Sequence, residues 1–372
     1  GTLAVSGAIT ASTAINLTGP LTVTNVLDGA AAVNILGGTV TLSGENTYEG
    51  GTFFGKSGVA GGTIVATDAD SLGTGDIFNA ITGIDDAITT LRLQNAASTT
   101  WTNNFEKLGS AKDGRFFTID VGGGGAAGTT HTFGNLTESV GGELRLTFTG
   151  NEGYNLNVGA ISVAHLIDMT SKMDGELTIA SVTCPGSSRT RNFSGDNSQV
   201  GQEVITVTGD ALFTSLSAAL TRIGSNGDVN LTVDGIFQVG NSVIDDSIFT
   251  SSASGTMLFN IVGDGTGSTS AEIVGTAGTE ALNLLGTFDF NVSAADETVG
   301  TTWQVVGTDI ENVTYDAAFT VDGATSGGGA AGNRVWSFAG VGEYIFFEFS
   351  ENTGELEVVY SPPPAGTVLI VK

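Results

Sequence analysis

Short segments of alternating apolar and small polar residues run through nearly the whole chain. The first of them read "TLAVSGAIT", "STAINLTGPLTVTNVL" and "AVNILGGTVTLSG", and the strand-like pieces within them end at Gly, Asn or Asp. Strict alternation places one face of a β-strand in a core, while Gly, Asn and Asp favour tight turns between strands. The same texture recurs at residues 141–150, 175–184, 203–209, 227–240 and 254–265. The pattern predicts an all-β protein made of many short strands.

Proline usage favours one continuous stack of strands. Only Pro20 and Pro185 fall within the first 361 residues, and the interior of a sheet tolerates little proline. Sandwiches, barrels, propellers and β-solenoids are the open architectures, but no signature repeats every 40 to 50 residues or so, as a propeller requires. The similar fragments "LSGEN", "FTGNE" and "FSGDN" begin at residues 42, 148 and 193, a spacing that fits solenoid coils of about 21 to 23 residues. About fifteen coils, stacked about 4.8 Å apart, predict a rod on the order of 70 Å long.

Residues 42–75 match a known repeat. Their first block, "LSGENTYEGGT", is followed by "GGTIV" and by the turn "LGTG". The stretch resembles the autotransporter-associated β-strand repeat, also called the passenger-associated transport repeat. The residues that carry the resemblance are Leu42, Gly44, Asn46, Tyr48, Gly50, Gly51, Leu72, Gly73 and Gly75. The resemblance implies a right-handed parallel β-helix (β-solenoid) with irregular coils, exported to the cell surface of a Gram-negative-type bacterium.

The C-terminal part of the chain has a second resemblance. Residues 301–323 and 334–360 are similar to the closing module of large repeat proteins from planctomycete- and verrucomicrobium-like bacteria. An autotransporter ends in a membrane barrel, whereas this chain ends in "SPPPAGTVLIVK", so we expect a passenger-like part without the translocator. We divide the chain into a β-solenoid (1–298), a small C-terminal β module or cap (299–361), and a proline spacer with a terminal strand (362–372).

The terminal strand is the most distinctive apolar segment. Val368, Leu369, Ile370 and Val371 follow three prolines, which form a stiff, extended spacer. An uncovered strand of β-branched and aliphatic residues is an aggregation hazard and needs a partner. Two partners are open: the strand caps the chain's own last coil, or it adds to the next subunit, where the N-terminal strands before Gly37 offer a complementary edge.

Charge narrows the range of partners. Twelve Lys and Arg against 39 Asp and Glu give a formal net charge of -27 at pH 7, which repels phosphate backbones and anionic membranes. We expect no nucleic-acid partner, and no apolar run approaches the 18 or so residues that membrane insertion needs. An acidic, strand-rich chain suits an extracellular or cell-surface protein, exported through a signal peptide that is then removed. The single cysteine, Cys184, excludes a disulfide within the chain.

Candidate catalytic residues are few. The two histidines, His131 and His165, sit in unrelated contexts, and no motif links them to a carboxylate or a nucleophile. The acidic pairs Asp85–Asp86 and Asp245–Asp246 consist of adjacent residues, whose side chains point to opposite faces of a strand and form no ready dyad. We expect structural roles for these residues, no catalytic residue and no enzymatic activity.

Residues 68–76, "DADSLGTGD", begin like a calcium loop, with Asp, Asp and Gly at positions 1, 3 and 6 of an EF-hand. Leu72 and Asn79 occupy positions 5 and 12, where the loop needs an oxygen ligand and a bidentate glutamate. The EF-hand interpretation therefore fails. We predict no specific metal site and no cofactor, with weak calcium binding by the acidic surface left open.

The aromatic residues favour a packed interior. Twenty phenylalanines and three tryptophans are explained most simply by stacking inside a solenoid, and a carbohydrate platform is the alternative. We predict core positions for Trp101, Trp303 and Trp336.

Three functional hypotheses follow, and we prefer the first. It is a secreted structural protein of the bacterial cell surface that assembles with itself, end to end, into a fibre or layer through strand addition. The second is a β-helical polysaccharide-binding adhesin or polysaccharide-degrading enzyme, with a surface polysaccharide as partner. The third is a phage-type tail fibre, which predicts a trimer, although the chain has no heptad or collagen-like stretch.

Overall fold

The regular structure of the chain consists of strands. The computed structural model describes residues 2–3, 8–108, 113–138, 143–185, 191–195, 203–213, 220–224, 229–239, 241–245, 247–264, 271–276, 280–340, 342 and 344–361. These residues form 39 strands and no helix. Accordingly, the described part of the chain contains no helix long and apolar enough to cross a membrane.

The strands are short, as the alternating pattern predicts. Those of the first half are β1 (Thr2–Leu3), β2 (Ile9–Thr10), β3 (Ile15–Leu17), β4 (Leu21–Val23), β5 (Leu27–Asp28), β6 (Val33–Ile35), β7 (Thr39–Leu42), β8 (Thr52–Phe54), β9 (Thr63–Ala66), β10 (Ile77–Asn79), β11 (Ile88–Gln94), β12 (Thr99–Thr100), β13 (Phe105–Lys107), β14 (Phe116–Gly122), β15 (Thr130–Phe133), β16 (Leu136–Glu138), β17 (Glu143–Gly150), β18 (Asn155–Val163), β19 (Leu166–Met173) and β20 (Leu177–Thr183). Those of the second half are β21 (Arg191–Ser194), β22 (Glu203–Val207), β23 (Ala211–Leu212), β24 (Leu220–Ile223), β25 (Val229–Val233), β26 (Ile236–Val239), β27 (Asn241–Ile244), β28 (Ile248–Ser251), β29 (Thr256–Gly263), β30 (Glu272–Val274), β31 (Ala281–Leu284), β32 (Thr287–Ala295), β33 (Thr302–Gln304), β34 (Asn312–Tyr315), β35 (Thr320–Val321), β36 (Thr325–Ser326), β37 (Val335–Ala339), β38 (Ile345–Ser350) and β39 (Glu355–Tyr360).

The first 35 strands, apart from β33, stack in parallel as a β-helix with three ladders. The first ladder has the order β1-β4-β7-β9-β11-β14-β17-β19-β21-β24-β27-β30. The second begins with β2-β5 and resumes as β12-β15-β18-β20-β22-β25-β28-β31-β34. The third is β3-β6-β8-β10-β13-β16-β18-β20-β23-β26-β29-β32-β35. The prediction of an all-β parallel β-helix is confirmed; its right-handed sense stays a prediction, in line with the usual hand of parallel crossovers.

Among the described residues, the coils visit the three ladders in turn, except that the third and fourth coils have no strand in the second ladder. The twelve strands of the first ladder define twelve coils, and a thirteenth follows where Val306 forms a parallel bridge with Ile273 of β30. In the seventh and eighth coils, single long strands, β18 and β20, serve both the second and the third ladder. Thirteen coils stacked about 4.8 Å apart make a rod about 60 Å long.

Coil length varies from one turn of the helix to the next. Leu21 pairs with Val40 across a short coil, whereas Asn241 pairs with Glu272 across a much longer one. The similar fragments that begin at positions 42, 148 and 193 do all lie at the ends of first-ladder strands, β7, β17 and β21. The spacing of the fragments predicts coils of about 21 to 23 residues. Each of the four coils between the first two fragments is longer than this, so the predicted coil length is wrong for that part of the stack. Corner loops absorb the extra residues without disturbing the ladders.

Alternate residues of the strands point into the stack. In β14, Phe117, Ile119 and Val121 are buried while the residues between them are partly exposed. Side chains of different ladders meet across the interior, and the rings of Phe105 and Phe117 stack with their centroids 3.8 Å apart. The predicted core tryptophans are all buried, which confirms that prediction for Trp101, Trp303 and Trp336.

The last coil and the C-terminal module interleave along the chain. Strand β33 belongs to an antiparallel sheet with the order β33-β39-β38-β37-β36, yet β34 and β35, which follow it, return to the solenoid ladders. The parallel ladders therefore run to Val321. The division of the chain at residue 298 stays a prediction. The sequence does not show that β33 leaves the solenoid for the antiparallel sheet, because strands of the solenoid and of that sheet have the same alternation of apolar and polar residues.

The antiparallel sheet closes the C-terminal end of the solenoid core. The ring of Phe349, on β38, packs with centroid distances of 5.3 Å to Phe288, 5.5 Å to Phe290 and 6.5 Å to Phe319, which all belong to the last two coils. Burial of these rings removes the apolar end of the coil stack from water. The antiparallel sheet therefore lies across the last coil.

A buried ion pair fastens this cap to the thirteenth coil. Arg334 Nε lies 2.7 Å from Glu351 Oε1, and Glu351 also accepts a hydrogen bond from Trp336 Nε1 at 2.8 Å. The same guanidinium donates to the backbone oxygens of Asp316 at 2.7 Å and Ala317 at 3.0 Å, in the turn between β34 and β35. One side chain therefore joins the cap to the coil that it covers.

We expect Arg334→Ala to loosen the cap before the solenoid. The substitution leaves the Glu351 carboxylate buried without its cation, and such a loss costs about 3–5 kcal/mol. Relative to the unsubstituted protein, hydrogen exchange in the variant should become faster in β36–β39 and stay unchanged in β14–β20. The unfolding temperature of the variant should be lower. The matched control is Arg92→Ala, because Arg92 is 46% exposed and its pair with Asp120 should contribute about 0–1 kcal/mol. Unchanged exchange in the cap of Arg334→Ala would contradict this account.

Candidate functional site

The residues that carry the repeat resemblance lie at the contact between the third and fourth coils. Leu42, Tyr48 and Leu72 are completely buried and point into the core. The Tyr48 hydroxyl lies 2.5 Å from Thr52 Oγ1, and burial raises the pKa of Tyr48, which keeps the phenol protonated. These side chains fill the interior and are not offered to a ligand.

Asn46 holds three successive coils together. Its side chain is 1% exposed, its Oδ1 accepts the Leu27 amide of the second coil at 2.8 Å, and its Nδ2 donates to the Ser71 carbonyl of the fourth coil at 2.6 Å. A side-chain amide supplies one acceptor and two donors, so it can satisfy backbone groups of both neighbours where regular pairing is interrupted. The residue therefore replaces ladder hydrogen bonds in a coil whose second ladder has no regular strand.

The motif glycines permit close stacking of the same coils. A Cβ on Gly50 would lie 2.5 Å from the backbone carbon of Ala31, and one on Gly73 would lie 2.7 Å from the Tyr48 carbonyl oxygen. Gly73 also has a positive φ of 69°, a conformation that glycine adopts without strain. The other motif glycines meet backbone of an adjacent coil in the same way: Gly44, Gly51 and Gly75.

The acidic turn that follows the motif is occupied by structural hydrogen bonds. The Asp68 carbonyl accepts from Trp101 Nε1 at 2.8 Å, and Asp76 Oδ1 accepts from the Asn104 amide at 3.1 Å. Asn104 Oδ1 in turn accepts from the Asn135 amide at 2.9 Å, which extends a polar ladder along the corner. Within the described ranges no group of three or more His, Cys, Asp or Glu could hold a metal ion.

The histidines lie apart and in different environments. His131 is completely buried between Trp101, at a centroid distance of 5.2 Å, and Tyr154, at 5.3 Å. Its Nε2 lies 3.2 Å from the Gly122 carbonyl, and burial lowers its pKa, so the ring is neutral at pH 7. His165 is exposed at the turn between β18 and β19. The two rings therefore form no common site.

The described members of the acidic pairs make different contacts. Asp86 forms an ion pair with Arg115 at 2.7 Å, while Asp85 takes part in an antiparallel bridge with Asp113. Asp245 accepts a hydrogen bond from the Thr276 hydroxyl at 3.0 Å, and Asp246 lies outside the described residues. The carboxylates of Asp86 and Asp245 thus have local partners in a turn or corner.

Sequence reasoning missed a column of buried polar residues in the third ladder. Asn79, Lys107 and Glu138 are in register on β10, β13 and β16, and they are 1%, 0% and 2% exposed. Phe54 precedes them and Val163 follows them at the same column position, on β8 and β18. The available signal was the alternation itself, since Lys107 and Glu138 come two positions after the buried Phe105 and Leu136. An inward charge in a strand of this kind costs free energy unless it is compensated.

Further charges surround this column at the corner between the third and first ladders. Glu143 is 2% exposed and pairs with the guanidinium of Arg115. Burial lowers the pKa of Lys107, and the carboxylates of Glu138, Asp113 and Glu143 oppose that shift. The corner therefore holds the amine of Lys107 and the carboxylates of Glu138 and Glu143, each 2% exposed or less.

Two carboxylates face each other on the outer surface near the cap. Asp289 on β32 lies beside Asp322, just after β35, in the next coil. Partial burial and the negative charge of Asp322 together raise the pKa of Asp289. The ionised form of this carboxylate is therefore less favourable in the folded protein than in the unfolded chain.

The first and last coils have different neighbours among the described residues. The last coil is covered by the antiparallel sheet, whereas β1, β2 and β3 of the first coil pair only with β4, β5 and β6 of the second. Among the described residues no strand lies on the outer edge of that first coil. The predicted subunit-contact residues lie outside the described part of the chain: Val368, Leu369, Ile370 and Val371.

Comparisons of the chain with protein-family models, with curated proteins and with solved structures find no match. The resemblance to the autotransporter-associated repeat therefore stays a prediction from residues 42–75.

We expect Asn46→Ala to destabilise the stack of the second, third and fourth coils by about 1–3 kcal/mol, because it leaves the buried Leu27 amide and Ser71 carbonyl without partners. Chemical denaturation measures the change in free energy of unfolding. Asn34→Ala is the control, since its hydrogen bond to Asn16 is exposed, and it should change stability by about 0.5 kcal/mol or less. Equal losses in the two variants would refute the coil-joining role of Asn46.

Asp289→Asn should raise the unfolding temperature at pH 7 and have no such effect at pH 3. The pKa of the Asp289 carboxyl is higher in the folded protein than in the unfolded chain, where it is about 4. The protonated carboxyl therefore favours the folded state at pH values below about 4, and this contribution is lost as the pH rises through the folded-state pKa. The neutral amide removes the penalty that is present at pH 7. The exposed Glu45→Gln makes the same change in net charge and controls for general repulsion. Equal stabilisation by both variants would argue against a specific repulsion from Asp322.

Proposed function

We propose that this protein is a non-enzymatic, secreted structural rod of the bacterial cell surface whose copies join end to end. The observation that carries the proposal is the parallel coil stack itself, in which each coil offers its backbone N–H and C=O groups to the next coil. The first-coil strands β1, β2 and β3 pair with the second coil in this way, and the same kind of pairing would join one copy to another. An open sheet edge can pair with a strand of another chain, and natural proteins cover the edges that must not do so.

The geometry of such a contact favours a filament. Joining the C-terminal end of one copy to the N-terminal end of the next is a heterologous contact, and it propagates without limit unless a rotation closes it. The segment that we assign to the contact is the terminal strand Val368–Val371, which would add to the first coil of the next copy. Backbone hydrogen bonds supply most of the affinity in strand addition, and alternate side chains supply specificity.

The interior supports a structural role. Buried rings and Asn46 serve contacts between coils, and the carboxylates of Asp86 and Asp245 have separate local partners. The large negative charge of -27 is consistent with solubility outside the cell and with a partner other than nucleic acid.

A second candidate function is polysaccharide binding on the outer surface. Phe53 and Phe78 lie on the outward side of the third ladder, half-buried, with their rings stacked at a centroid distance of 4.7 Å. The exposed amides of Asn16 and Asn34 continue the same row towards the first coil. Aromatic and amide groups in one row are the chemistry that a neutral glycan would contact, and a glycan array with Phe78→Ala as control would test this alternative.

Full-length protein should form filaments at high concentration, and the double variant Leu369→Asp, Val371→Asp should remain monomeric. Two buried charges in the added strand would oppose its pairing. Gel filtration with light scattering and negative-stain electron microscopy measure the outcome. Lys56→Asp, an exposed change on the side of the rod, is the matched control and should assemble normally. Monomers in all samples would refute assembly, and filaments of the double variant would refute the role of the terminal strand.

A further inference from the structure

The polar column Asn79–Lys107–Glu138 needs an explanation that the rod function does not supply. These residues occupy inward positions where the column otherwise holds Ile35, Phe54 and Val163. A buried lysine and a buried glutamate cost more desolvation free energy than apolar residues of similar size, and replacing such pairs by hydrocarbon is often stabilising. This cost indicates a chemical purpose.

The arrangement brings together an amine, an amide and a carboxylic acid. Lys107 lies between Asn79, its register partner in the fourth coil, and Glu138, its register partner in the sixth. The Asn79 amide is oriented by its neighbours: Oδ1 accepts from the Ile81 amide at 3.2 Å, and Nδ2 donates to the Gly114 carbonyl at 2.7 Å. The hydrogen bond from Ile81 polarises the side-chain carbonyl and would stabilise negative charge on its oxygen.

We propose that Lys107 forms an intramolecular isopeptide bond with Asn79, with Glu138 as the proton carrier, which ties the fourth coil covalently to the fifth. The inference is independent of end-to-end assembly, since it concerns two coils inside one chain. It requires no cofactor, oxidant or second substrate.

The reaction balances within these three side chains. A proton passes from the Lys107 ammonium to the Glu138 carboxylate, and the neutral Nζ attacks Cγ of Asn79. Glu138 protonates Nδ2 and takes up a proton from the attacking nitrogen as the carbonyl re-forms. The Cγ–Nδ2 bond breaks, and the departing ammonia accepts the proton from Glu138 and leaves as ammonium. Burial favours the neutral amine by lowering the pKa of Lys107. Because the fold already holds the amine, the amide and the carboxyl group next to one another, the reaction is unimolecular and needs no encounter in solution.

Intact-mass spectrometry of the denatured full-length chain tests the proposal directly. We expect a mass about 17 Da below that of the sequence, which corresponds to one ammonia lost when the lysine nitrogen acylates. Tryptic mapping should show no cleavage after Lys107 and one branched peptide that contains both Lys107 and Asn79. Separate, unlinked peptides for the two residues would overturn the proposal, whatever the intact mass. A loss of about 18 Da, one water, would assign the bond to a carboxylate and overturn the choice of Asn79.

Variants separate chemistry from folding. Lys107→Arg keeps a cation but removes the nucleophilic amine, so it should restore the full sequence mass, as should Glu138→Gln by removing the proton carrier. Lys56→Arg, on the exposed surface, is the matched control and should keep the mass loss. The wild-type peptide map remains decisive even if the buried variants fold poorly. A full mass loss in Lys107→Arg would refute the assignment, and none of these measurements depends on whether filaments form.

Discussion

In-register stacking of parallel coils is the constraint on which the rest of this structure depends. Each coil hydrogen-bonds to the coils before and after it, so every inward side chain lies over an inward side chain of its neighbour. One column of the first ladder reads Val40, Ile64, Leu91, Ile119 and Phe148, and all five are completely buried. A slip by one residue would turn such a column towards water. The ladders therefore stay fixed while the corners between them vary in length.

Where a polar residue enters the stack, the structure uses two different solutions. Asn46 is satisfied by backbone groups of the coils on either side of it, so one side chain substitutes for missing ladder hydrogen bonds. In the column of Asn79, Lys107 and Glu138, polar side chains face one another, and the charges are compensated largely by other side chains. The first solution is a structural device, whereas the second also creates a reactive arrangement.

The ends of a coil stack pose the same physical problem as the edges of any sheet. At the C-terminal end, aromatic packing around Phe349 and the guanidinium of Arg334 fasten an antiparallel sheet across the last coil. The first coil has no comparable cover among the described residues. Parallel stacking itself gives the rod a direction, which a head-to-tail assembly needs and a symmetric dimer does not.

The sequence by itself determined the class of the fold and the inward faces of its strands. Alternation of apolar and polar residues predicted the inward face of strands such as β14, because period two is a property of adjacent residues, and the aromatic content predicted the buried tryptophans. Only the tertiary structure decided which coils meet and where. Lys107 has Asn79 and Glu138 as neighbours although they lie on different coils, far apart in the chain, and β33 leaves the solenoid before the thirteenth coil is complete. The physical reason is that partners across coils depend on the lengths of the corner loops. Added loop residues cost little free energy, about 0.6 kcal/mol for each doubling of length, so the strand pattern does not constrain them.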